Sequence, residues 1–412
     1  MRDPDRLTPA DEANLTLDGV GVYVLTIVGL AGAGGFVRGP RDVDIDALRA
    51  TLAGRVAGLP RLTRSVVGDA GRRRLVDRGL RIEDHVRAVE PVDGLDGLHR
   101  WCAALSTRRL PSDRPLWELL IVPGAHADGV AWVFRIHHAL ADGGAAVRLF
   151  DALFDPDPSA PGAPAPSPAA AVTAHRRHGP AWRQLGTVLR PMRRTALIGP
   201  SGTGRRLHVV DVDLPGVAGA SHALGATVND AVLAAIGDGA RAALTVLEER
   251  IPDTLPVQVP VLLPGGAHRT NQVAAFTARV PLGDVGVAAR ARALAPATRA
   301  GASEVRDRAL PWCVGTPAGA RVMRRFVARQ RVIAVLTTNV RGPDRPRRLC
   351  GAPVERVWAL PVLAGTVRVG VAAVSYAGRL SVCVLWSEAI ADAGAALARR
   401  FEDSLAAFAA PG

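Results

Sequence analysis

The run His137-His138-Ala139-Leu140-Ala141-Asp142-Gly143 closes an apolar stretch with two imidazoles and sets an Asp-Gly pair four residues beyond the second. Imidazole has an ordinary pKa of about 6.5, so a large fraction is neutral at cellular pH and takes a proton from an attacking hydroxyl or amine. A base of this kind serves acyl transfer, and His138 is read as that base, with His137 and Asp142 in the same catalytic group. A plain core pair beside a turn is disfavoured. Two adjacent histidines with Asp and Gly at fixed offsets rarely coincide in a chain holding 10 histidines and 43 glycines.

Other chemistries lack their residues. No Gly-x-Ser-x-Gly elbow precedes a helix, which argues against a Ser-His-Asp hydrolase. Ala31-Gly32-Ala33-Gly34-Gly35 is not followed by the Lys-Ser or Lys-Thr of a phosphate-binding loop. Cys102, Cys313, Cys350 and Cys383 are far apart, with no CxxC pair and no metal-type His/Cys spacing. That usage fits a reduced cytosolic compartment rather than a zinc site or a disulfide framework.

The histidines need elements to hold them. Two short buried strands are predicted at 116–122 and 130–136, separated by a turn at 124–129, and the second runs into the histidines. Residues 145–154 return to helical spacing, so the motif sits at a strand-to-helix turn. Upstream, Ile45, Leu48, Leu52, Val56 and Leu59 mark an amphipathic helix, and a second helix is placed at 97–109. Residues 155–168, rich in Pro, Ala, Asp and Ser, carry too little apolar periodicity for a core element and read as a crossover. The second half alternates a helix at 227–246, strands near 257–263 and 273–280, and arginine-rich helices between 285 and 329. Strands at 332–338, 354–360, 367–376 and 380–386 follow, then a helix at 392–408. Both halves mix helix and strand, so the class is α/β.

At 412 residues and 48% hydrophobic content the chain is long enough for two cores. The net charge is +13, and every basic residue is arginine. Positive charge favours polyanions: nucleic acid, an anionic membrane face, or the phosphates of a coenzyme. Nucleic acid is the weakest of these, because aromatic content is 4% and no helix-turn-helix, finger or stacking motif accompanies the arginines. No apolar run approaches the roughly 18 to 20 residues of a spanning helix, and Met1-Arg2-Asp3-Pro4-Asp5 is too polar for a signal peptide. The expected location is cytoplasmic. The basic segment 323–331 offers either peripheral contact at the inner membrane face or a solvated helix surface.

Several segments together resemble the bacterial wax ester synthase and diacylglycerol acyltransferase family, kin to condensation domains and chloramphenicol acetyltransferase. Besides the histidine motif, Leu7-Thr8-Pro9-Ala10-Asp11 is similar to the family's first box and Arg114-Pro115-Leu116-Trp117-Glu118 to its Pro-Leu-Trp strand. Val228-Asn229-Asp230-Ala231 is similar to its Asn-Asp helix start, Thr338-Asn339-Val340-Arg341-Gly342-Pro343 to its Ser-Asn-Val-Pro-Gly-Pro turn, and Val374-Ser375-Tyr376-Ala377-Gly378 to its Ser-Tyr-Gly strand. The chain departs at Glu12-Ala13-Asn14, where large apolar or aromatic residues are common, and at Arg341, which stands for proline.

The resemblance implies two chloramphenicol acetyltransferase-like domains, each a mixed sheet flanked by helices, with a tunnel between them. Their expected bounds are 1–155 and 181–412, with a crossover linker at 156–180. It implies an acyl-CoA-dependent O-acyltransferase in which acyl-coenzyme A enters one side, an alcohol the other, and His138 takes the hydroxyl proton. Coenzyme A is then a co-substrate, and no resident cofactor or metal is expected. Asp142 is expected to turn away from substrate and pair with an arginine, Arg64 being the candidate, while Gly143 leaves room for a pantetheine arm. Asn229 is a candidate for the tunnel lining. Asn339, Gly342 and Ser375 are candidates for the oxyanion's hydrogen bond, and the residues do not choose among them. The departures point to a bulkier or more polar acceptor, such as a specialised metabolite. Two alternatives share the motif: a free-standing condensation enzyme with a carrier-protein-bound donor, making an ester or an amide, and a lipid-binding relative without turnover.

Overall fold

A computed structural model describes residues 5–156, 191–262, 273–306 and 316–410. Its first half contains α1 (Pro9–Leu17), β1 (Val24–Gly32), β2 (Val37–Gly39), β3 (Asp42–Val43), α2 (Ile45–Ala57), α3 (Pro60–Thr63), β4 (Arg64–Val67), β5 (Arg74–Asp77), α4 (Ile82–His85), β6 (Val86–Ala88), α5 (Gly94–Leu105), β7 (Trp117–His126), β8 (Gly129–His137) and α6 (Gly143–Asp151). The second half contains β9 (Arg205–Asp213), α7 (Leu214–Ala223), α8 (Val228–Val246), β10 (Thr254–Leu262), β11 (Val273–Pro281), α9 (Val287–Arg306), α10 (Pro317–Arg329), β12 (Val335–Arg341), β13 (Arg348–Leu349), β14 (Ala352–Leu360), β15 (Val369–Tyr376), β16 (Arg379–Ser387) and α11 (Ala391–Ala409).

Two six-stranded sheets carry the fold, in the orders β13-β14-β1-β8-β7-β6 and β11-β10-β12-β15-β16-β9. Each is covered by helices. Leu48 and Leu52 of α2 and Phe150 of α6 share a buried core with Leu119, Trp132 and Phe134 of the first sheet. In the second, Leu233 and Ile236 of α8 and Leu397 and Phe401 of α11 pack on Val257, Val371 and Val384. The mixed α/β architecture with helix-flanked sheets is therefore present as expected.

The central strand β8 is buried at every position, as a continuous apolar run between two neighbouring strands should be. Its one charged residue, Arg135, is buried and bonded to Glu118 on β7, which also accepts from Arg87 at 2.8 Å. β7 runs on to His126, so the hairpin turns later than the expected 124–129 and Ala125 is buried within the strand.

Three other expectations change. The strand at 354–360 forms as β14, but it pairs antiparallel with β1 from Thr26↔Leu360 to Ala31↔Val354, so the second half completes the first half's sheet. The strand expected at 332–338 is displaced to Val335–Arg341. It pairs in parallel with β15 from Val335↔Val369 to Arg341↔Ser375, so Thr338 to Arg341 are ladder residues rather than a turn. Residues 157–180 of the expected crossover lie outside the described residues. The buried cysteines Cys102 and Cys383 and the half-buried Cys350 are all free thiols, and Cys102 and Cys383 meet in a cluster with Val28, Leu120 and Trp358 that joins the two sheets.

Candidate active site

The two histidines lie where β8 gives way to α6. β8 is held on one side by β1, where Val24 pairs with His137, and on the other by β7. The ladder extends one bond further, since His138 donates its amide to the Tyr23 carbonyl at 2.8 Å while His137 donates to Leu116 O at 2.9 Å. Both backbones are thus fixed by neighbouring strands, and the alternation of a strand end sends the two side chains to different surroundings.

His137 is buried. Its Nδ1 accepts the Ala139 amide at 3.0 Å, so the ring proton must sit on Nε2, which donates to Asp18 Oδ2 at 2.9 Å. Asp18 caps the end of α1 and also accepts the Tyr23 amide at 2.9 Å. Burial pushes the Asp18 carboxyl up, but the His137 hydrogen bond, together with the Tyr23 amide and the Arg109 charge, outweighs it and holds the group below the ordinary carboxylate value. His137 therefore has both ring nitrogens committed to structure.

His138 is half-exposed. The side-chain amide of Asn14, on α1, lies 3.2 Å from its Nδ1 and 3.2 Å from its backbone carbonyl. Asn14 and Asp18 are one helical turn apart, so α1 addresses both histidines. That helix is started by a reciprocal capping box, with Thr8 accepting the Asp11 amide at 3.2 Å and Asp11 accepting the Thr8 amide at 3.0 Å.

Asp142 is buried and caps α6, accepting the Ala145 amide at 2.7 Å. Arg64, the arginine expected to pair with it, places its guanidinium on Asp5. Gly143 opens α6. Beyond it the helix is anchored by an aromatic stack: Phe150 lies 4.5 Å from Trp132, 5.1 Å from Phe134 and 4.5 Å from Phe154, between ring centroids.

A cleft opens between the sheets beside α6. Its wall is mostly apolar, with Leu25 and Ile27 of β1, Ala146 and Phe150 of α6, Val357 of β14 and Val374 of β15. Thr26, Asp151, Thr338, Ser375 and Tyr376 are the polar residues along it, and the Tyr376 hydroxyl is already engaged, donating to Val354 O at 3.0 Å.

The candidates separate accordingly. Ser375 and Gly342 line the cleft, and the Gly342 amide donates to Ser375 O at 3.0 Å; a Cβ on Gly342 would fall 2.4 Å from that oxygen. Asn339 does not line it. Once 335–341 is a strand, Thr338 and Val340 share the face towards the cleft and Asn339 is exposed on the other. Asn229 is half-buried in the first turn of α8, behind the capping box of Thr227 and Asp230, and is not part of the cleft wall. His138 is likewise not in the wall, but its amide is bonded to Tyr23, two residues before Leu25. Asn14, Asp18 and Thr338 were not among the sequence candidates. The four-residue spacing of Asn14 and Asp18 behind a Thr-Pro-x-Asp cap was the available signal. Among the described residues, no group of three His, Cys, Asp or Glu side chains could hold a metal ion.

Comparison with known proteins agrees with this architecture. The profile of the wax ester synthase/diacylglycerol acyltransferase catalytic domain matches residues 8–190, and that of the WS/DGAT C-terminal domain matches residues 307–408. A probable diacylglycerol O-acyltransferase of Mycobacterium tuberculosis is 30% identical over 352 residues, covering 76% of this chain and 75% of its own. A putative one from Mycobacterium bovis matches to the same extent. Among solved structures, the wax ester synthase/diacylglycerol acyltransferase from Marinobacter aquaeolei VT8 superposes with a TM-score of 0.69 at 20% identity, covering 98% of both chains. The first condensation domain of the CDA synthetase does so at 0.63 and 18% identity, covering 98% of this chain and 96% of its own. At those identities the likeness is one of fold.

Proposed function

The chain belongs to the wax ester synthase/diacylglycerol acyltransferase family, and from that premise we propose that this acyltransferase moves a fatty acyl group from coenzyme A to an alcohol, with His138 as general base. The observation that carries the substrate class is the cleft. It is apolar along most of its wall, it lies between the sheets, and it borders the helix that grows out of the histidine motif. An extended acyl chain buries its methylenes there at roughly 0.8 kcal/mol each, which a polar or short donor would not match.

In this reading His138 takes the proton of the acceptor hydroxyl as its oxygen attacks the thioester carbonyl. The tetrahedral intermediate collapses with cleavage of the C–S bond, and the imidazolium returns the proton to the departing thiolate, giving an ester and free coenzyme A. No acyl-enzyme is needed. Thr26, Thr338 and Ser375 are the cleft hydroxyls proposed to reach the developing oxyanion. Asp142 and His137 act through the loop they hold. Asn229 and Asn339 keep no role in this reading.

Thiol release from acyl-coenzyme A donors of increasing chain length tests it. Release that requires an added alcohol and rises with chain length supports the reading; release only from carrier-protein thioesters would move the enzyme to the condensation class.

We also propose peripheral membrane contact through α10. Val322 and Phe326 are 69% and 38% exposed there beside the exposed Arg321, Arg324, Arg325 and Arg329, a combination suited to an anionic lipid face. Among the described residues no helix is long and apolar enough to cross a membrane. Co-sedimentation with anionic vesicles at low salt is expected, and its absence would remove this contact.

A further inference from the structure

Asn14, on α1, touches the ring and the backbone of His138. We propose that Asn14 is a positioning residue that sets the charge state and tautomer of His138. The proposal rests on His138 being the general base.

A backbone carbonyl only accepts hydrogen bonds, so the Asn14 atom 3.2 Å from His138 O is the amide nitrogen, which fixes the way the amide faces. The same nitrogen lies 3.2 Å from His138 Nδ1. A donor at Nδ1 requires a lone pair there, so the resting ring is neutral with its proton on Nε2. Hydrogen bonding to the neutral form disfavours the charged one, and Asn14 thereby keeps the resting His138 neutral, with its one lone pair engaged at Nδ1. It also couples base strength to the bond: before Nε2 can accept, the ring proton must pass to Nδ1 and the amide must retreat to the backbone carbonyl alone. The same helix holds His137 in the Nε2–H tautomer through Asp18, so both rings take their proton placement from α1.

The ionisable groups around the loop come from several elements. Asp18 and Glu12 lie on α1, with Glu12 paired to Arg73 at 3.0 Å. Arg109, after α5, donates to Asp18 O, Tyr23 leads into β1, and His137 and Asp142 flank the ring on its own loop. Asn14 is the neutral member that touches Nδ1, so changing its charge alters the ring without removing an existing ion pair.

The test uses the full-length protein with 15N-labelled histidine, the His138 signals being those lost in His138→Ala. Native His138 is expected to be neutral at pH 7 with the proton on Nε2. Asn14→Leu should raise its titration midpoint, and Asn14→Asp should raise it by one unit or more and move the proton to Nδ1, because a carboxylate favours the charged ring. The acid limb of kcat/KM should move upward in parallel, which a merely structural role would not produce. A native ring carrying its proton on Nδ1, or a midpoint unmoved by Asn14→Asp in a folded protein, overturns the proposal. Full turnover by His138→Ala would instead remove the base assignment, whatever the ring's tautomer.

Discussion

His137 and His138 are neighbours with opposite surroundings: one is closed off by Asp18 and the Ala139 amide, the other stands half-exposed beside Asn14. Replacing Asp18 with alanine leaves the His137 Nε2–H and the Tyr23 amide without their acceptor, and two buried donors lost in this way cost about 2 to 4 kcal/mol together. Urea denaturation of Asp18→Ala should show a loss of that order, accompanied by lower turnover because the His138 backbone hangs on Tyr23. In the cleft, Ala146 faces the space that the acyl chain is proposed to fill. Ala146→Phe should lower kcat/KM for long-chain donors about tenfold while sparing short ones, measured across a chain-length series; equal loss at every length would place the chain elsewhere. At this scale the histidine motif was legible because its residue types and offsets are the chemistry. Asn339 was not, because a strand gives its residues alternate faces and the register was read three positions early. Asn14 was not legible either, since nothing local says that a helix residue reaches a histidine 124 positions away.

The element that matters most to the site is α6, fixed at its start by Asp142 and along its length by Phe150 against Trp132 and Phe134. Phe150→Ala removes the centre of that stack and should cost about 3 to 5 kcal/mol, read as a lower Cm in urea, with activity falling further than stability explains as the motif's loop loses its anchor. On β8 the buried Arg135 pairs with Glu118, and Arg135→Ala breaks that buried pair and leaves Glu118 to the partly exposed Arg87 alone, a loss of about 3 kcal/mol checked by the same denaturation. The strands β7 and β8 and the helices α2, α6 and α8 were legible from apolar spacing. β1 was not read as a strand, although it is the partner of β8, because Gly29 and Gly32 interrupt its apolar run. Gly29 is there for a tertiary reason: a Cβ would fall 2.1 Å from the Trp132 ring and 2.8 Å from Arg356 O. Such a contact is invisible until β14 and β8 lie on either side.

Over the whole molecule, the second half lends β13 and β14 to the first sheet and a joining cluster packs the two sheets together, and the cleft is a property of their pairing rather than of either half. A crossing strand such as β14 could not be assigned from order along the chain, since its neighbour in space is β1. The interface between the halves also makes stability depend on pH. His99, on α5, is half-buried against Trp358, and burial followed by the nearby Arg356 charge lowers its pKa to about 4. His85 is shifted down by burial as well. With folded values below the unfolded value of about 6.5, the unfolded chain binds protons first, so stability is full above that pH and declines as pH falls towards 4. Tm should drop across this window, and less steeply in His99→Gln. The central claim, that this fold brings an alcohol and an acyl thioester to one histidine, is tested most directly by thiol release from a long-chain acyl-coenzyme A with an alcohol acceptor, comparing the native protein with His138→Ala of matched Tm. The account predicts alcohol-dependent release that falls at least a hundredfold in the variant; near-native release by His138→Ala would contradict it.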